Sequence, residues 1–289
     1  MRTLLALLLV GVAATAQADE PKLKVVASFS VLADLVRQVG GDDAEIASLV
    51  GPDGDAHVYQ PTPADAQTIA TARVVVVNGL GLDAWMDRLE HAAGFAGRSV
   101  VASEGIDPIV VGGAPDPHAW QDVVNAEAYA RNIAGGLSAA DPAHAAGYAS
   151  RLQSLEARLA DLDRWIRERI DAVPEDKRRV ITSHDAFAYF GKAYGVTFRA
   201  PVGMSEDSEP SAAAVAALVR RIRTDGTKAL FVENMTDPRL VRELADEAGV
   251  TPGGTLYADA LSRPGDGGET YDAMMRHNAT LLAEAMARN

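Results

Sequence analysis

DPAHAAGYASRLQSLEARLADLDRWIRERIDAVP, residues 141–174, is the stretch on which the fold turns. Asp141 is predicted to cap a helix with Pro142 at its first position, and Pro174, which has no amide donor, to stop it. Between them Tyr148, Leu152, Leu155, Leu159, Leu162, Ile166 and Ile170 recur at steps of three and four, the pattern of one apolar stripe. No glycine follows Gly147 inside the run. At 1.5 Å per residue the helix would span roughly 45 Å, more than one small lobe requires. It therefore reads as a rigid strut between two lobes, against the alternative of a long surface helix on a single domain.

The flanking sequence favours the strut. Before it, KLKVVAS (22–28), Glu45–Val50, RVVVVN (73–78) and Ser99–Ala102 read as short strands. Helical patterns alternate with them at 31–39, 63–72, 83–93 and about 125–138. After it the plan returns, with strands at 179–182, 197–199, 228–232 and 254–258 and helices at 186–194, 211–223, 238–248 and 269–287. Strands alternating with helices indicate parallel βαβ units. The expected fold is α/β: two four-stranded parallel-sheet (β/α)4 lobes, 19–141 and 174–289, joined by the linking helix 142–173.

Bulk properties narrow the function. A net charge of −13 disfavours nucleic acid or an anionic membrane surface as partner. The absence of cysteine excludes disulfides, thiolate metal sites and cysteine nucleophiles, leaving nitrogen and oxygen ligands for any metal. Arg2, the apolar run Leu4–Val12 and Ala16-Gln17-Ala18 form a cleavable signal-peptide pattern over residues 1–18. With no cysteine at the cleavage point a lipid anchor is not expected, and a soluble, exported, periplasmic monomer is.

Ligands of open α/β sheets bind beyond the carboxyl ends of the strands. Three of the six histidines lie there: His57 in GPDGDAHVYQPTP, His118 in GGAPDPHAW and His184 in VITSHDAF. Asp259, in TLYADALS, ends the last expected strand. His91 and His144 are read as solvated on helix faces, and His277 as structural. The intervals match no compact metal motif such as H-E-x-x-H, so spacing makes a shared site possible without requiring it.

The segment PDGDAHVYQPTPADAQTIATARVVVVNGLGLDAWMDRL (52–89) strongly resembles the first-lobe signature of the solute-binding proteins of zinc and manganese ABC importers. DPHAWQDVVNAEAYARNIAGGLSAADP (116–142), SEPSAAAVAALV (208–219) with LFVEN (230–234), and TLYADALS (255–262) with TYDAMMRHN (270–278) follow in the family's order. The resemblance implies two α/β lobes on a long rigid helix with a metal between them. Position by position, it puts the metal ligands on His57, His118, His184 and Asp259. The third position is histidine in typical zinc members and glutamate in typical manganese members. The first motif usually reads Asp-Pro-His, and here it is Asp55-Ala56-His57. The histidine-rich loop of many zinc members is reduced to GGAPDP, 112–117.

Three imidazoles and one carboxylate suit Zn²⁺, which accepts tetrahedral nitrogen and oxygen ligands, better than Mn²⁺, which prefers more oxygens. The expected function is capture of one Zn²⁺ per chain for a membrane permease of an ABC importer, with a periplasmic zinc chaperone as a further candidate partner. Manganese or iron is the second choice. An exported metallo-hydrolase is the competing class, with Glu206, Glu209 and Glu233 as candidate general bases. Ser183-His184-Asp185 is no triad, because adjacent residues cannot supply the required facing hydrogen bonds. A purely extracellular adhesin is the remaining class. The loops 204–208 and 262–268 are expected to flank the cleft and to move.

Overall fold

The structure, a computed structural model, describes residues 21–204 and 212–289. The expected signal segment, Glu206, Glu209 and most of the loop 204–208 lie outside the described residues.

β1 (Leu23–Phe29) is buried everywhere except at Lys24, as a strand covered on both faces must be. It is followed by α1 (Ser30–Gly40), β2 (Ala44–Val50), α2 (Pro63–Thr71), β3 (Val74–Val77), α3 (Trp85–Ala93) and β4 (Arg98–Val101). The sheet is parallel in the order β2-β1-β3-β4, with Val26 between Ala47 and Val75. Thr62 and Asp65 close a capping box at the start of α2. Of residues 112–117, expected as plain loop, 112–115 belong instead to a hairpin of β5 (Val110–Val111) and β6 (Ala114–Pro115). Gly112 and Gly113, at φ 60° and 89°, make its two-residue turn, a conformation that glycine adopts without steric cost.

α4 (Val123–Ala140) leads through a 3₁₀ turn at Pro142–His144 into α5 (Ala145–Asp171). α5 has 27 residues, about 40 Å at helical rise. Tyr148, Leu155, Leu159, Leu162, Ile166 and Ile170 are buried along it, with Leu152 half-buried. Asp141 does not cap this helix. The Pro142 turn displaces it by one winding, and its carboxylate accepts the Tyr148 hydroxyl (2.7 Å) and the His144 Nδ1 proton (2.7 Å). His144 is thus held in the turn, half-buried, rather than solvated on a helix face.

The second half contains β7 (Arg179–Ile181), α6 (Ala188–Tyr194), β8 (Thr197–Arg199), α7 (Ala212–Asp225), β9 (Val232–Glu233), α8 (Arg239–Ala248), β10 (Thr255–Leu256) and α9 (Tyr271–Met286). β7 pairs with β8, β9 with β10, and Ile181 bridges to Leu230, all parallel. The strand sequence β8-β7-β9-β10 repeats the first sheet's 2-1-3-4 order. Its pieces are shorter than the sequence suggests: the run 228–232 pairs with β7 around Leu230 and with β10 only from Val232. The two lobes share one buried apolar core that runs through α4, α5 and α9, because α9 returns from the second lobe to pack on α5 and α1. A smaller core lies on the far side of the second sheet, built from Leu218, Val219, Ile222, Leu230, Val241 and Leu244 under α7 and α8.

Candidate metal centre

His57 sits between β2 and α2, His184 after β7 and Asp259 after β10, each beyond the carboxyl end of a parallel strand, whereas His118 follows the antiparallel hairpin inserted after β4. One nitrogen or oxygen from each lies within 4.8 Å of the others. His57 Nε2 is 3.2 Å from His118 Nε2 and 3.2 Å from Asp259 Oδ2. Asp259 Oδ1 is 3.5 Å from His118 Nε2, and Oδ2 is 3.1 Å from His184 Nε2. A tetrahedral ion with bonds of about 2.0–2.2 Å has edges of about 3.3–3.6 Å, close to these separations.

Asp259 Oδ1, Asp259 Oδ2 and His184 Nε2 are buried without an aligned hydrogen-bond partner. Buried polar atoms are costly when unmet, and here they converge with two more imidazole nitrogens. A cation at their centre would satisfy them together.

The far side of each ring is set by a carboxylate. His118 donates from both its backbone N–H (2.9 Å) and Nδ1 (2.7 Å) to Asp116 Oδ1. His184 donates from Nδ1 to Glu233 Oε2, while Glu233 Oε1 accepts the N–H groups of Ser183 (2.8 Å) and His184 (3.1 Å). With the proton on Nδ1, each Nε2 presents its lone pair to the centre, which is how outer carboxylates orient metal-binding histidines. Asp55 Oδ1 accepts the backbone N–H of His57 at 2.7 Å.

Electrostatics follow from this crowding. Burial would push the His118 imidazole down, but Asp259 and the bond to Asp116 override it and carry it up to about 9. Burial likewise opposes a charged His184, and Glu233 and Asp259 raise it well above the ordinary range. Burial would lift Asp259, yet His118 and His184 hold it well below the usual carboxylate range. The metal-free pocket therefore holds protons where it would hold an ion.

Among the sequence candidates, the structure brings His57, His118, His184 and Asp259 together. Glu233, offered as a general base, is committed to His184 and two backbone amides and is no free base. His277 donates to the Thr255 carbonyl at 2.9 Å and packs tilted against the Tyr257 ring; His91 is exposed. Asp116 was not singled out from sequence. Its signal is the repeated Asp-x-His at 55–57 and 116–118, in which the aspartate accepts the amide two residues on.

Residues 25–285 match the family described as ZnuA, zinc-uptake complex component A, periplasmic. The chain belongs to this family. It is 32% identical over 285 residues, 95% of this chain and 92% of the relative, to the iron ABC transporter substrate-binding lipoprotein MtsA of Streptococcus pyogenes. Its fold is similar to that of the periplasmic zinc-binding protein TroA of Treponema pallidum, with a TM-score of 0.89, 29% identity, and coverage of 93% of this chain and 100% of that one. The Mn-bound periplasmic metal-binding protein of Candidatus Liberibacter asiaticus matches at a TM-score of 0.83 and 27% identity, covering 92% and 100%. The ZnuA-family chain is thus a metal-binding, extracytoplasmic solute-binding component of an ABC importer, not an enzyme, and its place in such an importer implies a membrane permease and its ATPase as partners. Among its described residues no helix is long and apolar enough to cross a membrane.

Proposed function

We propose that this ZnuA-family protein captures one Zn²⁺ through His57, His118, His184 and Asp259 and delivers it to the permease of a zinc importer, as an exported soluble monomer. The observation that carries the reading is the set of unpartnered buried atoms on His184 and Asp259, facing two further imidazoles with all four donor groups within 4.8 Å of one another. Three nitrogens and a carboxylate fit zinc without a ligand-field penalty. Four protein ligands leave no open position, which suits a carrier. In this reading residues 19–141 and 174–289 are the lobes that contribute two ligands each, and 142–173 hold them at fixed separation.

Manganese is the second reading, and one feature favours it. Both oxygens of Asp259 face the centre unpartnered, so the carboxylate can chelate and raise the coordination number, which Mn²⁺ prefers. The Mn-bound relative from Candidatus Liberibacter asiaticus and the iron-named MtsA keep that reading open within the family.

The test strips the purified protein of metal and offers equimolar Zn²⁺, Mn²⁺, Fe²⁺ and Ni²⁺, alongside His184→Ala. One zinc retained per chain, lost in the variant, is the expected result. Preferential manganese retention moves the assignment to the second reading, and no stoichiometric metal removes the site.

A further inference from the structure

The peptide carbonyl just before a site residue is held by a side-chain donor in three of the four cases. Trp85 Nε1 donates to Ala56 O (2.9 Å), fixing the backbone that enters His57. Asn78 Nδ2 donates to Pro117 O (3.0 Å), doing the same for His118. Both donors belong to the lobe that carries the histidine they serve.

Asp259 is treated differently. Trp120 Nε1 (3.1 Å) and Gln121 Nε2 (3.0 Å) both donate to Ala258 O, and both come from the opposite lobe, within three residues of His118. Trp120 is itself tied to the second lobe, because the Tyr271 hydroxyl of α9 donates to its carbonyl at 2.6 Å. All of these groups are buried. No aligned donor holds the Asp259 carboxylate itself, so its placement depends on its backbone.

We infer that Trp120 and Gln121 are positioning residues that place Asp259 from across the cleft, making the fourth ligand conditional on contact between the lobes. His57 and His118 keep their backbone supports if the lobes separate, and His184 keeps Glu233. Ala258 loses both of its donors, so the turn that aims the Asp259 carboxylate is left with only its own-lobe ties, Asn278 at Tyr257 and Asn234 at Ala260. Lobe separation therefore not only draws His184 and Asp259 away from His57 and His118 but also loosens Asp259 within its own lobe, which gives a permease that pries the lobes apart a direct means of weakening the site at one identified position. This inference rests on the metal-capture reading above.

The test is a double-mutant cycle on the full mature chain loaded with Zn²⁺, following dissociation into a chelator, with Co²⁺ absorption as a second readout. Trp120→Phe removes one donor while retaining an aromatic ring against Phe29 and His118. Gln121→Met removes the other and keeps the tests independent should either variant fold poorly. Each is expected to speed dissociation about five- to tenfold, the worth of one buried hydrogen bond, and to shift the Co²⁺ spectrum toward that of Asp259→Ala. In the Asp259→Ala background the same substitutions should have no further effect on the rate, because coupled residues are non-additive. Equal acceleration in both backgrounds, or none in either, overturns the inference alone. A parent protein that retains no ion overturns the capture reading and this inference with it.

Discussion

In the first sheet β1 pairs with β2 over a register from Leu23–Ala44 to Phe29–Val50, whereas in the second β9 and β10 meet at only two residue pairs. The site residues follow the same division. His57 and His118 are each preceded two residues earlier by an aspartate that accepts their backbone N–H, so a local turn sets the loop. His184 is oriented by Glu233, 49 residues away on a neighbouring strand, and Asp259 by donors from the other lobe. The first lobe presents ligands written into short sequence; the second presents ligands that exist only once tertiary contacts have formed. A carrier needs both, one half to receive an ion and one half that can be undone.

The largest effect that would break this comparison comes from Glu233→Gln. Either orientation of the new amide turns an NH₂ group on existing donors, the Nδ1 proton of His184 or the two backbone amides. Relieving the clash at the ring moves its proton to Nε2, where it blocks the ion. Metal affinity should fall about 10–100-fold, as for loss of other outer-shell partners, measured by chelator competition. Asp116→Asn is the control, because Asp116 Oδ1 already accepts both His118 bonds and Oδ2 has no partner to lose. Its effect should be under about tenfold. An equal loss in both variants would erase the distinction between the lobes.

The next effect is on pH. His118 is raised to about 9 in the metal-free fold and has an ordinary value near 6.5 when unfolded. Its proton therefore stabilises the metal-free protein fully below about 6.5, and that contribution is lost as pH rises toward 9. Metal binding needs the neutral ring, so affinity should rise with pH through the same window, up to about tenfold per unit for each proton displaced. Thermal melts at pH 6.5 and 9 should move in opposite directions for the metal-free and metal-loaded forms. Parallel shifts would show that the ion does not replace these protons.

The smallest effect is expected at Asp55. Asp55→Ala removes one hydrogen bond to the His57 amide in a half-buried loop, about 0.5–1.5 kcal/mol of stability, with affinity changed only a few-fold. Calorimetric titration showing near-complete loss of binding would mean the first lobe is less locally organised than its turns suggest.

Much of this arrangement was legible in the chain itself, for reasons that differ by region. The α5 stripe could be read because a 3.6-residue period is a local property, and the histidines stood out because they follow β-branched runs. Asp141 has the sequence signature of a cap for α5, but a proline turn intervenes between it and the helix, so it serves Tyr148 and His144. The 110–115 hairpin is only two residues deep and gives no periodicity. Glu233 and the Trp120–Gln121 pair act over separations of 49 and 137 or more residues, which no local pattern encodes.

His57 has one further consequence. Its side chain keeps 7% of its surface exposed where the other three ligands keep none, and it borders a surface cavity of about 300 Å³ shared with Tyr59, Gln60, Trp85 and Arg88. In the zinc-capture reading the centre is thus open to solvent, among the described residues, on the His57 side alone, so the first lobe carries the doorway while the second carries the groups buried behind it.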